Sequence, residues 1–398
     1  MMTESARSAI SDPFWRCAAC GTPNPSRPYL TQCLGCGASV SASDIAAASG
    51  HEPARPRHRR GRSIAIATWV YALFLLTILA LIYWVGEDWW GVTILLFVPR
   101  WLYLGPVIAL ALASGLRWRP SHWILQGTIG LVVAGPLMGL SFSTARLWGP
   151  RVEGTRVRIL TYNLGPGPID SHRLIQMIER ERIDLICLQE NVEINLAFKA
   201  YLDRGWYRDP SKRLASRYPI VANLESLNVQ SSNDGWYSAQ LDRVRVRTPQ
   251  GVEFVVVTVH LPTIRPGLTG VLEGNLNRLP PQIQWWRIQL GRVVSSLSAL
   301  GNVPVLVGGD FNMPSDDSSM ATLRSVFRFG FEDAGLGYGY TRPSRVPWFR
   351  IDHLLASPHW TFTRCWVGID CGSDHLPLIA EVVLPPAPAP RSAVPTPR

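Results

Sequence analysis

Charge is scarce in this sequence. Asp, Glu, Lys and Arg together make 17% of its 398 residues, against 47% hydrophobic. The shortage concentrates between Ser63 and Leu147, which argues against an evenly greasy globule and for a membrane segment. Lysine is rare, so nearly all the cations behind the net charge of +10 are arginine. Cysteine is sparse as well. Cys17, Cys20, Cys33 and Cys36 stand near the start, and Cys187, Cys365 and Cys371 are scattered late. That is not the dense, even spacing of a small secreted disulfide scaffold. No Gly-x-Ser-x-Gly elbow accompanies the polar residues of the C-terminal part, and they lack the soft ligands of a catalytic zinc site.

What is present begins in residues 14–40 with CAAC and CLGC, two Cys-x-x-Cys knuckles twelve residues apart. Each knuckle puts two thiolates on one side of a metal, and two knuckles complete a tetrahedral shell. So short a stretch has too little apolar surface for a core, so a structural Zn²⁺ held by the four cysteines would supply the folding energy. The opening FWRCAACGTPN resembles a Ran-binding-protein type zinc finger, with a longer stretch from Asn24 to Cys33 than that family uses. The reading is a zinc ribbon with no partner implied. Zinc thiolates need reduced cysteines, which places this end in the cytoplasm.

Residues 41–62 are small, polar and rich in Ala, Ser, Pro and Arg, the texture of a flexible basic linker. Arg55, Arg57, Arg59, Arg60 and Arg62 stand directly before an apolar run, a position that suits a topology signal better than a DNA-reading patch. The run, residues 63–85, is long and uninterrupted enough to cross a bilayer. A second stretch, 91–116, is broken by Pro99 and Arg100, and a third, 123–142, carries glycines and Pro136. The expectation is an all-α transmembrane region of about three helices over 63–148. Its middle stretch could instead be re-entrant or interfacial. Arg117 and Arg119 lie on the side of the first arginines, and Glu87 and Asp88 on the other. Three crossings then put everything after Arg146 outside the cytoplasm. A middle stretch that fails to span would put it inside.

From Arg156 the texture becomes soluble α/β. Strand patterns end or contain VRILTYN, DLICLQE, PIVANLESL, VEFVVVTVH, PVLVGGDF, FRIDHLL and LPLIAEVVL, and helices are expected over 282–300 and 320–327. Strands outnumber helices and include neighbours at hairpin distance, so two packed mixed sheets with helices outside fit better than one wound parallel sheet. This domain covers 150–384, and the Pro-rich tail 385–398 reads as disordered.

The polar residues to notice sit where apolar strands end. Asn163, Glu190 and His260 close strands; Asp310 and Asn312 follow PVLVGG; Asp352 lies in FRIDHLL; Asp374 and His375 precede LPLIA. Strand ends converge on one rim, and sites are built there. Glu190 and Asp374 are hard oxygen ligands suited to Mg²⁺ or Mn²⁺. Asp310 is placed to deprotonate a water, and a histidine backed by an Asp keeps a proton for phosphoryl oxygens. Trp285 and Trp286 read as core and rim of a helix, and His353 as pointing to the strand's other face. Arg265, in the long connection from Pro262 to Pro281, is a candidate phosphate contact. Cys365 and Cys371 could pair if the domain is outside.

The ordered series TYN, LQE, SRYPI, VHL, GGDFN, RIDHLL and SDHLP resembles the endonuclease/exonuclease/phosphatase superfamily over about 230 residues. The resemblance implies a four-layer α/β/β/α sandwich and metal-dependent phosphoester cleavage. By position it assigns the metal to Glu190, with support from Asn163 and a contribution from Asp374. It assigns the nucleophilic water to Asp310 and a phosphate contact to Asn312. His375, oriented by Asp352, binds or protonates phosphate, and His260 serves the leaving group. Asn233, Trp236 and Tyr237 do not align with the Tyr and Asn residues of the abasic-site enzymes, which weakens a DNA-repair assignment. The implied substrate is a phospholipid head group or nucleic acid. The alternative is a non-catalytic membrane sensor or scaffold.

Overall fold

The computed structural model describes residues 14–25, 32–39, 57–86, 89–115, 120–143, 152–190, 196–227 and 239–386. Outside them lie most of the linker 41–62, the tail from Ala387, Glu87, Asp88, Arg117, Arg119, Arg146, Arg151, Asn233, Trp236 and Tyr237. Two compact units are present, Met1–Thr68 and Trp69–Arg398.

In the first unit, β1 (Phe14–Arg16) pairs antiparallel with β2 (Pro23–Pro25), and a bridge joins Gln32 to Ser39. The two cysteine turns repeat one geometry. Gly21 N donates to Cys17 O at 2.8 Å, and Gly37 N to Cys33 O at 2.9 Å. Gly21 and Gly37 take φ of +73° and +71°, where a side chain would be strained. Helix α1 (Arg57–Ala80), continued by a wider turn over Leu81–Val85, starts inside the stretch read as linker. Arginine is a good helix former, so the helix extends through the basic flank.

The second unit opens with α2 (Gly91–Phe97), α3 (Leu104–Ser114) and α4 (Pro120–Val132). Among the described residues one helix, Arg62–Val85, is long and apolar enough to cross a membrane, or two if the bent pair α2–α3 counts as one span. The pair bends by 88° at its break, where Pro99 forces Val98 into an extended conformation. Helix α4 runs thirteen residues and continues directly into the wider turn Val133–Leu137, around Pro136.

The sandwich follows. In chain order its elements are β3 (Ser141–Phe142), β4 (Thr155–Asn163), α5 (Ser171–Arg180), β5 (Leu185–Gln189), α6 (Leu196–Leu202), β6 (Tyr207–Arg208), β7 (Leu214–Ser216) and β8 (Ile220–Leu227). Then come β9 (Gln240–Arg247), β10 (Glu253–His260), α7 (Arg265–Leu272), α8 (Leu279–Ser298), β11 (Val305–Asp310) and β12 (Arg328–Phe329). The last are β13 (Leu336–Gly337), β14 (Asp352–Ala356), β15 (Thr361–Val367) and β16 (Leu378–Leu384). One sheet runs β12-β14-β11-β10-β9-β8 and the other β15-β16-β4-β5-β7-β6. Each contains one parallel pair, β10–β11 and β4–β5, so both are mixed.

Strand periodicity divides the apolar residues cleanly. Phe254 and Val256 of β10 face the gap between the sheets with Leu306, Leu354, Val157, Ile159, Cys187 and Ala380. Val255, Val257 and Val259 face outward onto Trp286, Leu290, Val293 and Leu297 of α8. On the other side Leu160, Ile186 and Ile379 meet Leu174 and Ile178 of α5 and Phe198 of α6. The result is the expected α/β/β/α sandwich. Helix α8 starts three residues before the expected 282 because Pro280 and Pro281 fit a helix's first turn. The second expected helix shrinks to Ala321–Arg324 behind a 3₁₀ turn. Cys365 lies in the gap and Cys371 in the layer under α5, so the suggested disulfide is absent and both thiols are free.

The helical region is fastened to the sandwich. Arg100, buried, forks onto Asp316 at 2.5 and 3.0 Å and also donates to Leu137 O at 3.0 Å. Tyr340 Oη donates to Met138 O at 2.7 Å, β3 pairs with β13, and the Phe97 ring lies 5.3 Å from that of Phe349.

Candidate active site

The same alternation builds the site. Counting along the gap-facing rows, β4 ends in Thr161 and Asn163, β5 in Gln189, β10 in Thr258 and His260, β11 in Asp310, and β14 begins with Asp352. The apolar filling therefore gives way to polar side chains at one end of the gap. A buried belt closes it: Gln189 Nε2 donates to Thr258 Oγ1 at 3.0 Å and Thr161 Oγ1 at 3.2 Å. Sequence reading missed these three residues, although strand parity alone puts them on the site's face.

Beyond the belt the chemistry gathers. Asn163 Nδ2 donates to Asp310 Oδ2 at 2.9 Å and to Glu190 Oε1 at 3.0 Å. His260 Nε2 lies 3.6 Å from Glu190 and 3.9 Å from Asp310. His375 Nε2 lies 3.7 Å from Asp310, and its Nδ1 meets Asp352 Oδ2 at 2.8 Å. Asn312 N donates to Asp310 Oδ1 at 2.7 Å and so positions Asp310, while its side-chain amide donates to Leu261 O at 2.8 Å. Ser373 ties the loop of His375 to β4 through Asn163 O at 2.7 Å. Glu190 and Asn312 both adopt left-handed φ, 53° and 52°. Such conformations cost on the order of 1–3 kcal/mol and gather at working sites. Burial is graded. Asp310, Asp352 and His375 are sealed, while the Glu190 side chain is 39% exposed, which marks it as the mouth.

Two expected residues go elsewhere. Asp374 pairs with Arg342, which sequence reading did not single out, and lies 3.5 Å from Arg265. Arg265 contacts this carboxylate from the site's rim. His353 faces away, as expected, with Nε2 2.9 Å from Met313 O, and Trp286 is core, donating to Phe311 O at 2.8 Å.

Burial raises Asp310 to about 7, and the neighbouring Asp352 adds to the effect. Burial would depress His375, but Asp352 and Asp310 overcome it and hold the imidazole at about 9. His260 is pushed down to about 4, chiefly by burial. At neutral pH the site therefore holds a charged His375, a neutral His260 and a carboxylate poised to exchange a proton.

The donor set fits a hard divalent cation. Glu190, His260 and Asp310 offer ligand atoms all within 4.8 Å of one another, and Asp310, Asp352 and His375 form a second such group. Asp352 Oδ1 and His375 Nε2 are buried without hydrogen-bond partners in the protein, so polar capacity is left for a guest. In the first unit the four cysteine sulfurs cluster within the same limit. Cys33, despite burial, is held at about 6 by Gly35 N and Asn24, whereas Cys36, despite an Ala38 hydrogen bond, is driven to about 12 by Cys20 and burial. The four sulfurs lie close enough together to share one tetrahedral cation.

The chain belongs to the Endonuclease/Exonuclease/phosphatase family, whose model matches residues 160–375. It is similar to a family member from Bacteroides thetaiotaomicron at 20% identity, covering 58% of this chain and 99% of that one, with a TM-score of 0.44. It is similar to the mannosyl-6-phosphatase of Bacteroides thetaiotaomicron VPI-5482 at 20% identity, covering 57% and 99%, with a TM-score of 0.42. For the human Nocturnin catalytic domain the values are 15%, 58% and 96%, and 0.42. No curated protein matches the chain.

Proposed function

We propose that the chain is a membrane-anchored, divalent-metal-dependent phosphoester hydrolase, with Mg²⁺ or Mn²⁺ at Glu190 and a structural Zn²⁺ on the four cysteines. The observation that carries the reading is Asp310, sealed from solvent, held by Asn163 and Asn312, and set 3.7 Å from His375. The divalent ion, when bound, offsets charge that builds on the phosphoryl oxygens. Asp310 accepts the proton of a water whose oxygen bonds to phosphorus. The bond from phosphorus to the ester oxygen breaks, its electron pair leaves with that oxygen, and the oxygen takes up a proton from solvent. His375, charged by Asp352, donates to a phosphoryl oxygen, and His260, neutral, presents a donor toward the departing group.

The proposed placement keeps the cysteine unit in the cytoplasm and the sandwich outside, with α1 as a complete crossing. The arginines before α1 support it.

The test is turnover of a chromogenic phosphodiester by the full-length protein with Mg²⁺ or Mn²⁺, with and without chelator. Asp310→Asn is expected to lose at least about 1,000-fold in kcat while still folding, in the range for removing a residue essential to the chemical step. Full activity in that variant, or in excess chelator, sinks the assignment.

A further inference from the structure

A groove of about 350 Å³ opens beside the catalytic cluster at Asn312. Its walls are Phe97, Leu268, Trp348 and Phe349, over a floor of Ile264 and Ile351. Arg265 and Arg342 stand at its edge with Asp374 between them. One wall comes from outside the sandwich: Phe97 ends α2, half of the apolar bent pair, and its ring packs edge-on against Phe349. Helix α7 carries the groove outward. Arg265, Leu268 and Leu272 fall three and four residues apart on one face. Leu268 lines the groove, while Leu272 is 89% exposed and Leu276, just beyond, is also bare. An apolar row thus leads from the surface to the site.

Resting on the hydrolase reading above, we infer that this groove binds a hydrocarbon chain adjoining the scissile phosphate. The substrate is accordingly a membrane lipid phosphoester. The charge pattern selects this occupant. Two arginines, partly neutralised by Asp374, match one phosphate group, and apart from Thr263 and Asn312 the rest of the lining is apolar. A nucleic-acid strand would instead need a cationic track running beyond the site, and no other Lys or Arg lines this groove. The volume lies near the lower end of small-molecule pockets. It therefore holds a segment of one chain next to its phosphate, with the remainder left in the bilayer.

The experiment uses the full-length protein with Mn²⁺ and two esters sharing one leaving group, 4-nitrophenyl methyl phosphate and 4-nitrophenyl decyl phosphate, below micellar concentration. A short oligonucleotide is the third arm. Binding of decylphosphonate and methylphosphonate is measured separately by calorimetry, which needs no turnover. Burying two or more methylenes is worth about tenfold or better. The decyl ester is thus expected to exceed the methyl ester at least tenfold in kcat/KM, mostly through KM, with decylphosphonate binding tighter in proportion. Leu268→Gln and Phe97→Ser, checked for folding by thermal melts, should collapse both ratios toward one. Equal kinetics and equal binding for the two chain lengths overturn the inference, as does an unchanged ratio in both folded variants or a preference for the oligonucleotide. Chain-dependent binding with no turnover of either ester would support the groove and overturn the hydrolase reading instead.

Discussion

His375 keeps its proton because Asp352 lies 2.8 Å away in a pocket closed to water, with Asp310 beside it. Its folded value of about 9 exceeds the ordinary ~6.5. The sign follows. The charged imidazole contributes stability that is complete below about pH 6.5 and is lost as pH rises through about 9. Asp352→Asn removes the charge that raises the group, so urea midpoints between pH 6.5 and 9 should fall less steeply in this variant than in the wild type. Equal slopes would show that the pair does not hold the proton. Catalytic failure of Asp310→Asn belongs to the same scale. Both rest on residues that were legible in sequence because each closes or opens an apolar strand. The Arg342 partner of Asp374 was not, since it lies 32 positions away in an aperiodic loop.

At the scale of elements, the Arg100–Asp316 pair joins the bend between α2 and α3 to the loop after β11, across 216 positions of chain. Burial raises the Asp316 carboxyl, but Arg100 outweighs it and leaves the group below the ordinary carboxylate range. Its stabilising contribution is present above about pH 4 and is lost as pH falls through the lowered folded value. Arg100→Ala leaves the partly exposed Asp316 carboxylate unpaired and is expected to cost about 2–3 kcal/mol, whereas replacing both partners by apolar residues should cost less. Thermal melts of the single and double variants check this; equal losses would contradict it. The cysteine knuckles make a second element-scale prediction. The purified chain should carry one Zn²⁺, and any single Cys→Ser change at Cys17, Cys20, Cys33 or Cys36 should release it, read by a colorimetric zinc assay. Retention of zinc by all four variants would argue against the ribbon. The knuckles were plain in the sequence because their spacing is local. The bend at Pro99 showed only as an interruption, because its 88° angle depends on packing.

For the molecule as a whole, the side of the membrane on which the sandwich lies can be tested directly. Val346 is 59% exposed, so a cysteine placed there should react with a membrane-impermeant maleimide in intact cells if the proposed topology holds. Labelling only after permeabilisation would place the sandwich with the cysteine unit. By itself, the sequence determined which residues alternate, where strands stop, which cysteines cluster and where apolar stretches begin, because these are local patterns with periods of two, three or four residues. Only the tertiary structure decided how many of those stretches make helices of spanning length. It alone joined Arg100 to Asp316 and diverted Asp374 to two arginines. It also brought Phe97 to the edge of the site. Each of these depends on side chains far apart in the chain meeting in a sealed space, where charge must find its partner and apolar surface must find cover.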